Sequence, residues 1–203
     1  SSTIAAIRSI FLLSQVDLNN ITDINNATFQ RLFYILHTDT YSYGIGFRTD
    51  ALSCIWTCAT SVLCAFTCIY AIGYMKTHTR FLIYNNLFAA CFMIFIASNN
   101  LLQMYIGLEL TALLSYFLVN YYYYKAEANK ATALRVFLWN KVGDAFFLFG
   151  CILAFAYYGS LDFSVISHFK IARFDVQTII FICILVSAFV KAAQLCFIKW
   201  LAD

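Results

Sequence analysis

The 203-residue sequence has no proline, only seven glycines and few charges, with Asp, Glu, Lys and Arg making up 11% of the chain. A soluble domain carries about 25% charged residues, so this shortage excludes an ordinary water-facing globular surface. Membrane helices that break to carry ions often contain proline, and this chain has none. The three histidines, His37, His78 and His168, all fall in segments that read as loops. With them there is no zinc spacing, no nucleotide loop and no nucleophile elbow. The net charge of +3 is too small to point to nucleic acid. No signal peptide is legible: the chain opens Ser1-Ser2, and its first apolar run, Ile4 to Val16, is interrupted by Arg8.

What is abundant is apolar surface, 63% of residues, and that defines an all-α polytopic membrane protein. Five stretches have the roughly 20 residues needed to cross about 30 Å of hydrocarbon: Ala51–Met75, Phe81–Ser98, Asn100–Tyr121, Thr132–Tyr158 and Val176–Leu201. They form one transmembrane region, 50–203. Residues 1–49 read as an interfacial or loop segment: 17–28 are Asn-, Asp- and Thr-rich, and 31–47 are aromatic with the option of a hairpin. Asn99-Asn100 is expected to make a minimal turn, because Asn tolerates left-handed backbone, and 159–175 is a polar loop with room for a short interfacial helix. Lys76, Arg80, Lys125, Lys130 and Arg135 lie in two loops on one side. The positive-inside rule assigns that side to the cytoplasm or matrix.

Charges inside the spans are costly. A carboxylate at the bilayer centre costs about 2.5–3.5 kcal/mol on insertion scales, and Glu109 lies mid-way along its span. Tyr105, Ala112 and Tyr116 share its helix face at i−4, i+3 and i+7. Lys141 and Asp144, at i and i+3, can pair locally. Lys191 is too deep for easy snorkelling, with Ser187 and Gln194 on its face. A buried lysine beside a movable acid can switch protonation, as a proton relay requires; the bland alternative is static ion pairs that only hold helices together. The expectation is that Glu109 and Lys191 face each other, directly or through a short polar bridge.

The eight cysteines include two i, i+4 pairs, Cys54/Cys58 and Cys64/Cys68. That spacing can bind metal, but no acid or histidine lies near, and cysteine is also a small buried hydrophobe. They are expected to be neither disulfide-bonded nor metal-bound.

IGLELTALLSYFL (106–118), NKVGDAFFLFG (140–150), GSLDFS (159–164) and FVKAAQLCFIKWLAD (189–203) occur in an order and spacing that strongly resembles the antiporter-like chain 5 family of proton-pumping NADH–ubiquinone oxidoreductase, respiratory complex I. DALS (50–53), YAIGYM (70–75) and SNNLLQMYIG (98–107) add to the resemblance, which covers about 50–203. It departs from the family at Leu108, where Trp is usual, at Lys141, where Arg is usual, and at Val190-Lys191-Ala192, where Gly-Lys-Ser is usual. The resemblance implies part of an antiporter-like inverted-repeat fold and a proton-translocating subunit of NADH:ubiquinone reductase, with no redox centre and no cofactor bound by this chain. It implies that Glu109 partners Lys191 in a half-channel, that Lys141 and Asp144 belong to the surrounding network, and that there is no metal site. The implied partners are the other membrane subunits of complex I, membrane lipids and a second polypeptide completing the fold, in the mitochondrial inner membrane. The other readings are a sodium/proton antiporter subunit and a purely structural membrane piece.

Overall fold

The structure, a computed structural model, describes residues 28–37, 42–74, 78–122, 127–168 and 174–194. The chain divides into two compact units, Ser1–Asn99 and Asn100–Asp203.

In the first unit, β1 (Thr28–His37) and β2 (Ser42–Thr49) pair antiparallel, from Thr28 opposite Thr49 to His37 opposite Ser42. The hairpin open to the sequence thus forms. The apolar run at Ile4–Leu13 lies outside the described residues. Helix α1 (Ala51–Tyr74) starts on Asp50. The Ser53 N–H donates to Asp50 Oδ1 (2.7 Å) and the Asp50 N–H donates to Ser53 Oγ (2.9 Å). This reciprocal cap satisfies two donors that a helix start leaves orphaned, and it gives the DALS sequence a physical meaning. Helix α2 (His78–Ile96) follows. Near its end the Ala97 carbonyl accepts from the Arg48 N–H at 3.0 Å, and Phe47 pairs with Ser98. The hairpin is therefore laid across the end of the helix, where carbonyls lack intrahelical partners.

In the second unit, α3 (Leu101–Val119) runs into a 3₁₀ turn at Asn120–Tyr122, then come α4 (Glu127–Tyr158), α5 (Phe163–His168) and α6 (Phe174–Lys191). The short α5 occupies the place the polar loop allowed for it. The short turn expected at Asn99-Asn100 is present between Ile96 and Leu101, but without left-handed backbone. Asn100 is extended (φ −142, ψ 161), and its side chain accepts from the Gln103 N–H at 2.7 Å. Capping requires this β-region backbone, so the cap and the left-handed turn exclude each other. Leu101 N–H donates to Leu161 O (3.1 Å), and Asn100 pairs with Asp162, tying the loop before α5 to the start of α3.

Helix α4 runs antiparallel to both α3 and α6. Two glycines let α6 approach closely. A Cβ at Gly143 would lie 3.1 Å from Val190 Cγ1 and 3.4 Å from Ser187 O, and one at Gly150 would lie 3.4 Å from Cys183 Cβ. Small residues bring helix backbones together where packing, not hydrophobic exclusion, drives association. Val190 is fully buried and has no slack. We expect Gly143→Ala to cost about 1–3 kcal/mol by overpacking and to push Lys191 away from Asp144. Thermal denaturation of the purified assembly checks this: the variant should unfold at lower temperature, and Val190→Ala on top of it should recover part of the loss.

Four helical stretches are long and apolar enough to cross a membrane: Ala51–Tyr74, Thr79–Ile96, Leu101–Val119 and Ala131–Tyr158. The fifth differs from expectation. Instead of a continuous span over Val176–Leu201, the helix stops at Lys191, and the apolar stretch Val176–Lys191 is shorter than the others. Ala193 adopts φ 51, with Gln194 N–H donating to Phe189 O (3.0 Å) and Ala193 N–H to Val190 O (3.2 Å). These two bonds are a Schellman stop, usually built on glycine; alanine in the left-handed region costs roughly 1–2 kcal/mol. The helix thus breaks without proline or glycine, and Lys191 sits in its last turn, where the helix dipole favours a cation. Residues 195–203 lie outside the described residues.

Candidate functional site: a chain of paired charges

The second unit brings the four charged residues singled out in the sequence into one row. On α3, Glu109 lies opposite Lys141 of α4, and the Lys141 ammonium donates to Glu109 Oε2. Lys141 also lies 4.0 Å from Asp144 Oδ2, one turn further along α4. Asp144 Oδ1 is 2.6 Å from the ammonium of Lys191 at the end of α6. The order is Glu109, Lys141, Asp144, Lys191, with the sign alternating at each step, so every charge has an opposite neighbour.

Glu109 and Lys191 make no direct contact; Lys141 and Asp144 bridge them. The local Lys141–Asp144 pair is also not the dominant one. Each of these residues is nearer a partner on another helix, and their spacing along α4 could not show that. Gln194, expected on the face of Lys191, instead follows the helix break, while Ser187 stays within α6 and is buried.

Burial ranks the four. The side chain of Asp144 is 2% exposed, against 19% for Lys191, 24% for Glu109 and 38% for Lys141. Neither Asp144 oxygen has a hydrogen bond of ordinary geometry among the described residues, and there its charge is compensated by the two lysines. A buried ion pair is at best a modest net gain, whereas removing one partner strands the other.

Aromatic side chains frame the row. The Tyr105 hydroxyl donates to Glu109 Oε1 at 2.7 Å, leaving Oε2 to Lys141, and its ring stacks on Phe147 at 6.3 Å between centroids. Tyr116, on the same face, meets Phe137 at 5.5 Å. The Lys141 ammonium lies 5.3 Å from the Phe137 centroid, within cation–π range. The Tyr105–Ala112–Tyr116 stripe is thus the face of α3 turned to α4.

Sequence reasoning missed a second polar cluster, in the first unit. Asn85 Nδ2 donates to Thr67 Oγ1 (2.9 Å) and lies 3.5 Å and 3.6 Å from the sulfurs of Cys64 and Cys68. The signal is Asn85-Asn86 in the middle of an apolar span, facing the cysteines of α1. The seven described cysteines are free thiols, and no group of three or more metal-ligating side chains occurs among the described residues.

Long apolar helices with their few charges paired along the helix packing define a polytopic membrane protein. Residues 98–203 match the family described as NADH:quinone oxidoreductase/Mrp antiporter, transmembrane, and residues 35–84 match the chain 5 N-terminus of NADH–ubiquinone oxidoreductase (complex I). The chain belongs to the NADH:quinone oxidoreductase/Mrp antiporter transmembrane family. It is 32% identical over 205 residues to NADH-ubiquinone oxidoreductase chain 5 of Trichophyton rubrum, covering 98% of this chain and 30% of that protein. It is 31% identical over 199 residues to a Neurospora crassa protein called probable intron-encoded endonuclease 4, covering 95% of this chain and 35% of that protein. The Neurospora crassa chain 5 protein is also 31% identical over 199 residues, covering 27% of its own length. The chain therefore spans about a third or less of the length of these relatives. Among solved structures it resembles a chain of the membrane-bound sulfane sulfur reductase, an archaeal respiratory membrane complex. The TM-score is 0.73 at 16% identity, over 98% of this chain and 39% of that one. That likeness shows a shared fold, and the family match over 98–203 makes it antiporter-like.

Proposed function

We propose that this chain is part of a proton-translocating membrane subunit of NADH–ubiquinone oxidoreductase in the mitochondrial inner membrane. Protons move along Glu109, Lys141, Asp144 and Lys191. The observation that carries the reading is the unbroken alternation of acid and base across three helices. In such a row, a proton gained or lost at one end changes the field on the next group, so the pairs can exchange partners in sequence. The match of residues 35–84 to a chain 5 N-terminus favours this over a sodium/proton antiporter subunit. NADH oxidation and quinone reduction occur in other subunits, and this chain binds no cofactor for them. Lys191 is 19% exposed, and the path continues from it into a further antiporter-like segment.

The test is Glu109→Gln in the intact complex, sealed in vesicles. Glutamine keeps the size of the side chain and an oxygen for the Tyr105 hydroxyl, and Lys141 keeps Asp144. Assembly and NADH oxidation should therefore persist while protons moved per NADH fall. An unchanged proton ratio would sink the relay.

A further inference from the structure

One turn before Glu109 on α3, Tyr105 makes two separate contacts. Its ring stacks on Phe147 of α4, with centroids 6.3 Å apart and planes 16° apart. Its hydroxyl donates to Glu109 Oε1 at 2.7 Å. Packing accounts for the ring, and a phenylalanine would pack as well. Packing does not account for the hydroxyl, which costs free energy at this depth unless it is bonded.

The stack aims the hydroxyl. Phe147 is 2% exposed, so the Tyr105 ring lies against a close-packed surface. Glu109 and Lys141 are longer and more flexible, 24% and 38% exposed, and ordering two such chains costs entropy. The oxygens of Glu109 are divided: Oε1 accepts from Tyr105 and Oε2 from Lys141. A proton passing from Lys141 to Glu109 breaks an Nζ–H bond and forms an Oε2–H bond. Both groups are then neutral, and the Coulomb attraction that held them together is gone. Oε1 is now the carbonyl oxygen of a carboxylic acid and still accepts, so the Tyr105 bond survives the transfer.

We propose that Tyr105 is a positioning residue of the proton path: its hydroxyl holds Glu109 against Lys141 through the neutral stage of the transfer, when charge no longer does. The inference rests on the relay reading of the four charges. A hydrogen bond to a charged group shifts a population by about 10- to 150-fold, and that is the order of the alignment lost before transfer when the hydroxyl is removed.

Tyr105→Phe deletes the hydroxyl and keeps the ring on Phe147. In the intact complex, sealed in vesicles, assembly and NADH oxidation should persist while protons moved per NADH fall. Combined with Glu109→Gln, it should lower the ratio no further than Glu109→Gln alone, because Tyr105 acts through Glu109. Infrared spectra give a readout that packing does not touch. The carboxyl band of Glu109, identified by its loss in Glu109→Gln, should broaden in Tyr105→Phe and shift to the higher frequency of a carbonyl without a donor. A parent-like proton ratio in Tyr105→Phe beside a lowered one in Glu109→Gln overturns the proposal and leaves the relay standing. So does a double variant that falls below both singles, or an unmoved Glu109 band. A parent-like ratio in Glu109→Gln removes the relay itself, and this role with it.

Discussion

Asp144→Asn is expected to be the most damaging single change in this chain. Asp144 is the most buried of the four charges and lies between both lysines, 2.6 Å from Lys191 and 4.0 Å from Lys141. Asparagine keeps the shape but removes the charge, and Lys191 loses the acid it pairs with among the described residues. Breaking a buried pair by removing one partner costs about 3–5 kcal/mol, because the remaining charge is uncompensated. In hydrocarbon, where water cannot easily reach the stranded group, the upper part of that range applies. Assembled complex in the membrane should fall severely, and proton pumping with it. The double variant Asp144→Asn with Lys191→Met removes both charges and should recover assembly, since a well-packed neutral pair can match a buried ion pair. Native gels read the assembly and a double-mutant cycle reads the coupling. If Asp144→Asn assembles as well as the parent, or the double variant is no better than the single, the pairing between α4 and α6 does not hold the unit together.

The sequence disclosed which residues matter more readily than how they pair. Glu109, Lys141, Asp144 and Lys191 stood out because a charge inside an apolar run is expensive wherever it points, and that cost is visible in one dimension. The partners depend on the approach of α3 and α6 to α4. For α6 that approach is set by Gly143 and Gly150 against Val190, Ser187 and Cys183, contacts between residues more than thirty positions apart. So the local pairing of 141 with 144 is legible in the sequence, and the bridge that the two make between Glu109 and Lys191 is not. The spans were legible from composition, and the end of α3 and the short α5 nearly so. The break at Lys191 was not. Helix stops are usually announced by glycine or proline, and here Ala192-Ala193, both good helix formers by propensity, carry the stop through backbone hydrogen bonds alone. At Asn100 the turn is legible but its backbone is not: left-handed tolerance is what the residue type suggests, and its capping oxygen requires an extended residue instead.

Lys191→Arg separates a relay from a set of static ion pairs. Arginine keeps the positive charge beside Asp144, so an arrangement that only holds helices together has little to lose. A guanidinium does not give up its proton in proteins, whereas a buried lysine can. The proposed path needs Lys191 to load and unload, so the substitution should spare assembly and stop the row from cycling. The measurement is protons translocated per NADH oxidised by the intact Lys191→Arg complex in sealed vesicles, alongside its NADH oxidation rate and assembled amount. The account predicts normal assembly, continued NADH oxidation and a clearly lowered proton ratio. A ratio equal to that of the parent complex would contradict it and leave the four charges a structural role.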